Sequence, residues 1–303
     1  MKNKKILLGD LGLLITAFIW GSGFVAVKSA LDTLSPMYIM TFRFGLATLL
    51  TSVLFYKKVI NINKEDLKAG IIIGLFLFSA FTTQTIGLQY TLAGKQAFLT
   101  GTNLVMVPFL FWFISKERPD KFNIFAAILM IAGIGLLTLD LNEGFSLNKG
   151  DILTLVCALL FACHIVTVGI YAKKQDPIKL TIVQFAVAFM LSALTMLFRN
   201  EPLFFIPTEG IFEVVFLGLF STFVAYLIQN IAQKYTSPSH TALLLSLESF
   251  FGCILSVIFL GDVFSSNMIM GSIFIFMAII TAETKWGFLK SNKESQSVEV
   301  NNS

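Results

Sequence analysis

The chain has 303 residues, 56% of them hydrophobic and 13% charged, with a formal net charge of +4. Soluble domains carry about 25% charged residues, so this balance excludes an ordinary soluble globular protein and points to the bilayer. So small a net charge on so apolar a chain is also no footprint of nucleic-acid binding.

Apolar runs long enough to cross a hydrocarbon core occur ten times, at roughly 8–30, 36–56, 68–90, 92–114, 121–139, 150–173, 177–198, 210–235, 238–261 and 266–288. The first follows Lys2, Lys4 and Lys5 and is too long for the core of a signal peptide, so it reads as a retained first helix. It carries Trp20-Gly21, a flat aromatic face beside a point where another backbone can approach. Lys28, near its end, is placed to snorkel to the surface. Arg43 lies about two turns into the second run. It either snorkels too or faces inward, where a guanidinium demands a carboxylate, a carbonyl or an anionic substrate group.

The third run has Gly70 and Gly74 at close-packing spacing, followed by Gln84. The fourth carries Asn103 and Pro108, the sixth His164, and the eighth Gln229. Buried amides most often hydrogen-bond between helices, and His164 admits that role or a proton-handling one. The ninth run, "LLLSLESFFG" at Leu243–Gly252, places Glu248 near its middle. A charge there costs about 2.5–3.5 kcal/mol on insertion scales. Three roles compete for it: a protonatable coupling site, a ligand for a substrate amine or a partner of Arg43, and a structural link between helices.

Cys157, Cys163 and Cys253 fall inside spans and read as packing residues. His164 and His240 have no neighbours at ligand spacing, so no metal is expected. Nor is any cofactor, since no Gly-rich Lys-Ser/Thr loop is present to hold a nucleotide. Seventeen basic residues fall at the chain termini and in turns on the side of the N-terminus, against Lys95, Lys149 and Arg199 on the other. The positive-inside rule then puts both termini in the cytoplasm.

A shift of 141 sets Asp10 on Asp151, Pro36 on Pro177 and Phe44 on Phe185. A shift of 145 sets Gln84 on Gln229, Tyr90-Thr91 on Tyr235-Thr236, Ala97 on Ala242 and Glu117 on Asp262. The expected architecture is therefore an all-α integral membrane protein of two five-helix repeats, residues 1–140 and 141–290, with a polar cytoplasmic tail at 291–303. Five is odd, so the second repeat enters the membrane inverted, as in many secondary transporters.

Several stretches resemble the drug/metabolite transporter superfamily in its ten-helix EamA-type branch. They are "FIWGSGF" (Phe18–Phe24), "TFRFGLA" (Thr41–Ala47), "GLQYTLAGKQAFLT" with "VPFLFWFISKER" (Gly87–Thr100 and Val107–Arg118), and "QKYTSPSHTALLLSLESFFGCILSVIFLGD" (Gln233–Asp262). Ser249 follows Glu248 where the family often has proline, and Gly261-Asp262 stands where it usually has Gly-Glu. The resemblance implies an inner-membrane carrier of small organic solutes, most often an exporter, and favours Trp20 as a cavity residue. The expected function is a secondary transporter of amino acids or similar solutes, with Trp20, Arg43, Gln84, Asn103, His164, Gln229 and Glu248 as cavity candidates. Glu248 and His164 are the candidates for proton coupling. A channel or uncoupled facilitator is the alternative. An intramembrane enzyme stands third, for want of a convergent nucleophile and base.

Overall fold

The structure is a computed structural model that describes residues 2–116, 118–140, 144–145, 147–199, 201, 210–232 and 238–285. Glu117, Tyr235-Thr236, the 291–303 tail and the His240 side chain, all used above, lie outside what is described.

Among the described residues ten helical segments follow the ten apolar runs, with a further single turn at Tyr56–Val59. They are α1 (Lys2–Ala30), α2 (Pro36–Leu54), α3 (Lys64–Leu88), α4 (Ala93–Gly101 continued by Asn103–Ser115) and α5 (Lys121–Thr138). The second five are α6 (Lys149–Tyr171), α7 (Pro177–Phe198), α8 (Ile211–Ala232), α9 (Pro238–Leu260) and α10 (Ser266–Thr284). Among the described residues, nine are long and apolar enough to cross a membrane, and α9 adds the apolar stretch Leu244–Leu260. Phe113, Ile128, Phe198, Phe212 and Phe259 stand 60% or more exposed around the bundle, a surface suited to lipid and not to water. The chain is an integral membrane protein. β1 (Leu139–Asp140) and β2 (Gly144–Phe145) form a two-residue antiparallel ribbon between α5 and α6.

The helix starts are written in the sequence. Ser35 caps α2 and Asp176 caps α7, each just before a proline whose missing N–H costs nothing in the first turn. Asn63 with Asp66 opens α3 as a capping box, and Asn148 with Asp151 does the same for α6.

Two helices depart from regular winding. In α4 the ladder breaks at Thr102, whose hydroxyl donates to the Leu99 carbonyl at 2.6 Å. In α8 the stretch Phe216–Val224 is a π-helix, in which the Ala225 N–H reaches back five residues to Phe220. Such wide turns frequently mark functional positions.

Helix α1 packs on α9, α3 on α6 and α7, and α2 on α7. Helix α5 packs on α10. Advance each helix number by five and the pattern returns: α6 on α4, α8 on α1 and α2, while α2–α7, α4–α9 and α5–α10 map onto themselves. The Gly70/Gly74 seam lies between α3 and α7, where an added Cβ would come 2.5 Å from that of Val183 and 2.7 Å from that of Val187.

One end of the bundle is closed by buried charge. Lys95 Nζ lies 2.8 Å from Asp151 Oδ2, and the Thr91 hydroxyl donates to Asp151 Oδ1 at 3.0 Å. Lys28 does not snorkel. Its ammonium donates to the Leu88 and Thr91 carbonyls at 2.7 and 3.0 Å, capping α3 where the helix dipole is negative. The opposite end is tied by more exposed pairs across the two halves: Lys58 with Asp176, Lys179 with Asp66 at 2.8 Å and Lys285 with Asp120 at 2.6 Å.

Candidate functional site

A cavity of about 530 Å³ is walled by α1, α2, α3, α4, α6, α8 and α9. The structure brings Trp20, Arg43, Gln84, Asn103, His164, Gln229 and Glu248 together on its wall.

Arg43 faces inward. It is 5% exposed, so the snorkelling alternative does not apply. Its Nε donates to Thr222 Oγ1 at 2.7 Å and its Nη2 to Ser221 Oγ at 3.2 Å, both from the π-turn of α8. The guanidinium carbon also lies 4.4 Å from the Phe81 ring centroid, a cation–π contact. Among the described residues no carboxylate pairs with it.

Trp20 is held over the same π-turn. Its indole N–H donates to the Ser221 carbonyl at 2.9 Å, and its ring meets Tyr226 edge-on at 5.5 Å. Gly21 lets α1 reach α9: an added Cβ there would stand 2.8 Å from the Glu248 carbonyl oxygen. The winding of α8 and the approach of α1 thus position three of the cavity's side chains at once.

The wall formed by α4 and α9 is of opposite character. Glu248 makes no hydrogen bond or ion pair among the described residues, with Arg43 or any other group. Among the described residues Asn103, 8% exposed, has no partner for its Oδ1, nor Gln96 for its Oε1. The Gln96 amide nitrogen is spent on the Gln84 carbonyl and Thr154 Oγ1, at 2.8 and 3.1 Å. Gln84 itself reaches Thr100 Oγ1 at 3.4 Å. His164 bridges α6 to α7, its Nε2 lying 2.8 Å from Gln184 Oε1.

Gln96, Thr100, Ser221 and Tyr226 are lining residues that sequence reasoning missed. A signal existed for the first two: Gln96, Thr100 and Asn103 recur at i, i+4 and i+7, one polar stripe on an apolar helix. Ser221-Thr222 gave none, because nothing in "LGLFSTFVAY" announces a π-turn. The described residues hold no group of His, Cys, Asp and Glu side chains fit for a metal ion.

The sequence profile of the EamA-like transporter family matches this chain twice, over residues 7–139 and 148–283. An uncharacterized transporter of Archaeoglobus fulgidus is 37% identical over 279 residues, which cover 92% of this chain and 87% of that protein. The uncharacterized transporter YoaV of Bacillus subtilis is 23% identical over 274 residues, covering 88% and 93% respectively. A protein of known crystal structure shares the fold with a TM-score of 0.62 at 16% identity, over 92% of this chain and 97% of that one. The chain belongs to the EamA-like transporter family, in the drug/metabolite transporter superfamily, and is a multi-pass membrane transporter and not an enzyme.

Proposed function

We propose that this transporter is a secondary carrier of the plasma (inner) membrane that exports small organic metabolites, amino acids or solutes of similar size. Two inverted five-helix halves, residues 1–140 and 141–290, would expose one cavity to each side in turn, with both termini in the cytoplasm. The observation that carries this reading is the cavity itself: about 530 Å³, walled by helices of both halves and carrying polar groups of unlike kinds. That volume falls in the range of roughly 300–1,000 Å³ usual for small-molecule sites. A site between repeats is where such carriers bind. A channel calls for a ring of like groups, and this wall mixes a cation, a carboxylate, amides and aromatic rings.

Of the two proton-coupling candidates, Glu248 suits the role better. His164 is engaged by Gln184, whereas the Glu248 carboxylate has no protein partner among the described residues. Efflux of labelled amino acids and nucleosides from proteoliposomes, with and without a proton gradient, tests the proposal. Saturable efflux accelerated by unlabelled solute on the far side is the expected result. Efflux that rises linearly with concentration would replace the carrier with a channel. Indifference to the gradient, in the wild type and in Glu248→Gln alike, would remove proton coupling.

A further inference from the structure

We infer that the cavity is built for a zwitterionic amino acid with an apolar side chain, its carboxylate on Arg43 and its ammonium between Glu248 and Asn103. The inference rests on the carrier reading above and sharpens its substrate.

A guanidinium stays protonated at any physiological pH, so Arg43 is a fixed cation. It is 5% exposed, and its partners among the described residues are two neutral hydroxyls and the phenyl rings of Phe44 and Phe81. Hydroxyls from Thr222 and Ser221 orient the fork but do not neutralise it. The planar fork has five donors and two are occupied, which leaves edge capacity for a carboxylate.

Elsewhere on the same lining the need is reversed. Among the described residues Glu248 carries a carboxylate with no ion-pair partner, and Asn103 Oδ1 and Gln96 Oε1 are acceptors with no donor. An ammonium has three N–H donors and no acceptor, the complement of such a wall. Were the protein to satisfy itself, Arg43 and Glu248 would pair. They line one cavity and do not. A solute with one charge of each sign neutralises both walls at once. A solute of one sign leaves the other buried group unpaired, which is the costly arrangement. The rest of the lining includes Phe24, Phe161, Leu104, Ile165 and Leu245, so the body of the solute is hydrocarbon or aromatic.

Counterflow of labelled L-leucine in proteoliposomes, with L-leucine, L-leucinamide and N-acetyl-L-leucine as competitors, tests this. Leucinamide lacks the carboxylate and the acetyl compound lacks the ammonium. In the wild-type protein each is expected to compete roughly 30-fold less well than leucine. Equal competition by either analogue would overturn the inference. In Arg43→Gln the penalty on leucinamide should collapse to within about threefold while that on N-acetyl-leucine persists; Glu248→Gln should give the reverse. A variant that merely misfolds loses all three competitors together and cannot produce this crossover. Arg43→Lys, which keeps the charge, should retain preference for leucine over its amide, and loss of that preference would also overturn the assignment. Exchange of uridine but of no amino acid would leave the carrier standing and remove the zwitterion. No exchange of any solute in the panel would remove both.

Discussion

Two buried cations in this bundle stand in opposite circumstances. Lys95, 8% exposed at one end, is paired with Asp151 at 2.8 Å, and Thr91 takes the carboxylate's other oxygen. Arg43, 5% exposed on the cavity wall, has two hydroxyls and two phenyl rings but no anion among the described residues. Both cost desolvation. The first cost is offset within the protein and locks α4 to α6. The second is left open toward a space large enough for a solute. A neutralised buried charge reads as structure, and an uncompensated one facing a cavity reads as a site.

Removing one member of the paired charge breaks the comparison hardest. Asp151→Ala strands Lys95 and is expected to cost about 3–5 kcal/mol, read as a lowered unfolding midpoint in detergent. Replacing both partners, Lys95→Met with Asp151→Leu, should recover most of that loss. If the double variant is as unstable as the single one, the pair is not what closes this end. Arg43→Gln should cost far less stability, about 1 kcal/mol for its hydrogen bonds to Ser221 and Thr222, while lowering transport. Similar destabilisation in Arg43→Gln and Asp151→Ala would erase the distinction between the two cations. Gln184→Leu removes the partner of His164 and is expected to cost about 1 kcal/mol, leaving the gradient dependence of transport intact. Loss of that dependence would move proton coupling from Glu248 to His164.

The smallest effect is expected at the exposed end. Lys58→Gln should change stability by less than about 1 kcal/mol, because the Lys58–Asp176 pair is open to solvent. Its pH dependence has a definite sign. Burial pushes the Asp176 carboxyl up, but the hydrogen bonds from Lys58 and the Ile178 N–H, with the charge of Lys58, outweigh it and hold the carboxyl below the ordinary aspartate value. A depressed carboxyl contributes stability above its unfolded value and loses it as pH falls through the folded one. The difference between wild type and Lys58→Gln should therefore be constant from about pH 8 to about pH 6 and vanish once the pH has fallen below the folded carboxyl's own depressed value. A difference that grew on acidification would contradict this.

Much of the fold was legible because lipid makes the code simple: a long apolar run is a helix, and a proline or capping residue marks where it starts. Ser35-Pro36 and Asp176-Pro177 show this, since both helices begin where the sequence places them. The candidate side chains were legible for a related reason, as polar groups inside apolar runs stand out one by one. Their partners were not. Lys28 looked like an end-of-helix cation free to snorkel, because sequence does not tell that the α3 terminus ends beside it. Gln96 was passed over beside Lys95, although its spacing to Thr100 and Asn103 carried the signal. The π-turn that presents Ser221 and Thr222 to Arg43 comes from tertiary packing and leaves no mark on composition.

A carrier exposes one cavity to the two sides of the membrane in turn. Val27, near the Lys28 end, and Leu245, about 10 Å into α9 from its start, line the cavity toward opposite ends. With Cys157, Cys163 and Cys253 replaced by alanine, single Val27→Cys and Leu245→Cys variants report which end admits a membrane-impermeant thiol reagent. Saturating L-leucine on one side should raise labelling at one position and lower it at the other. Labelling that rose or fell together at both would describe a continuous pore and contradict the carrier.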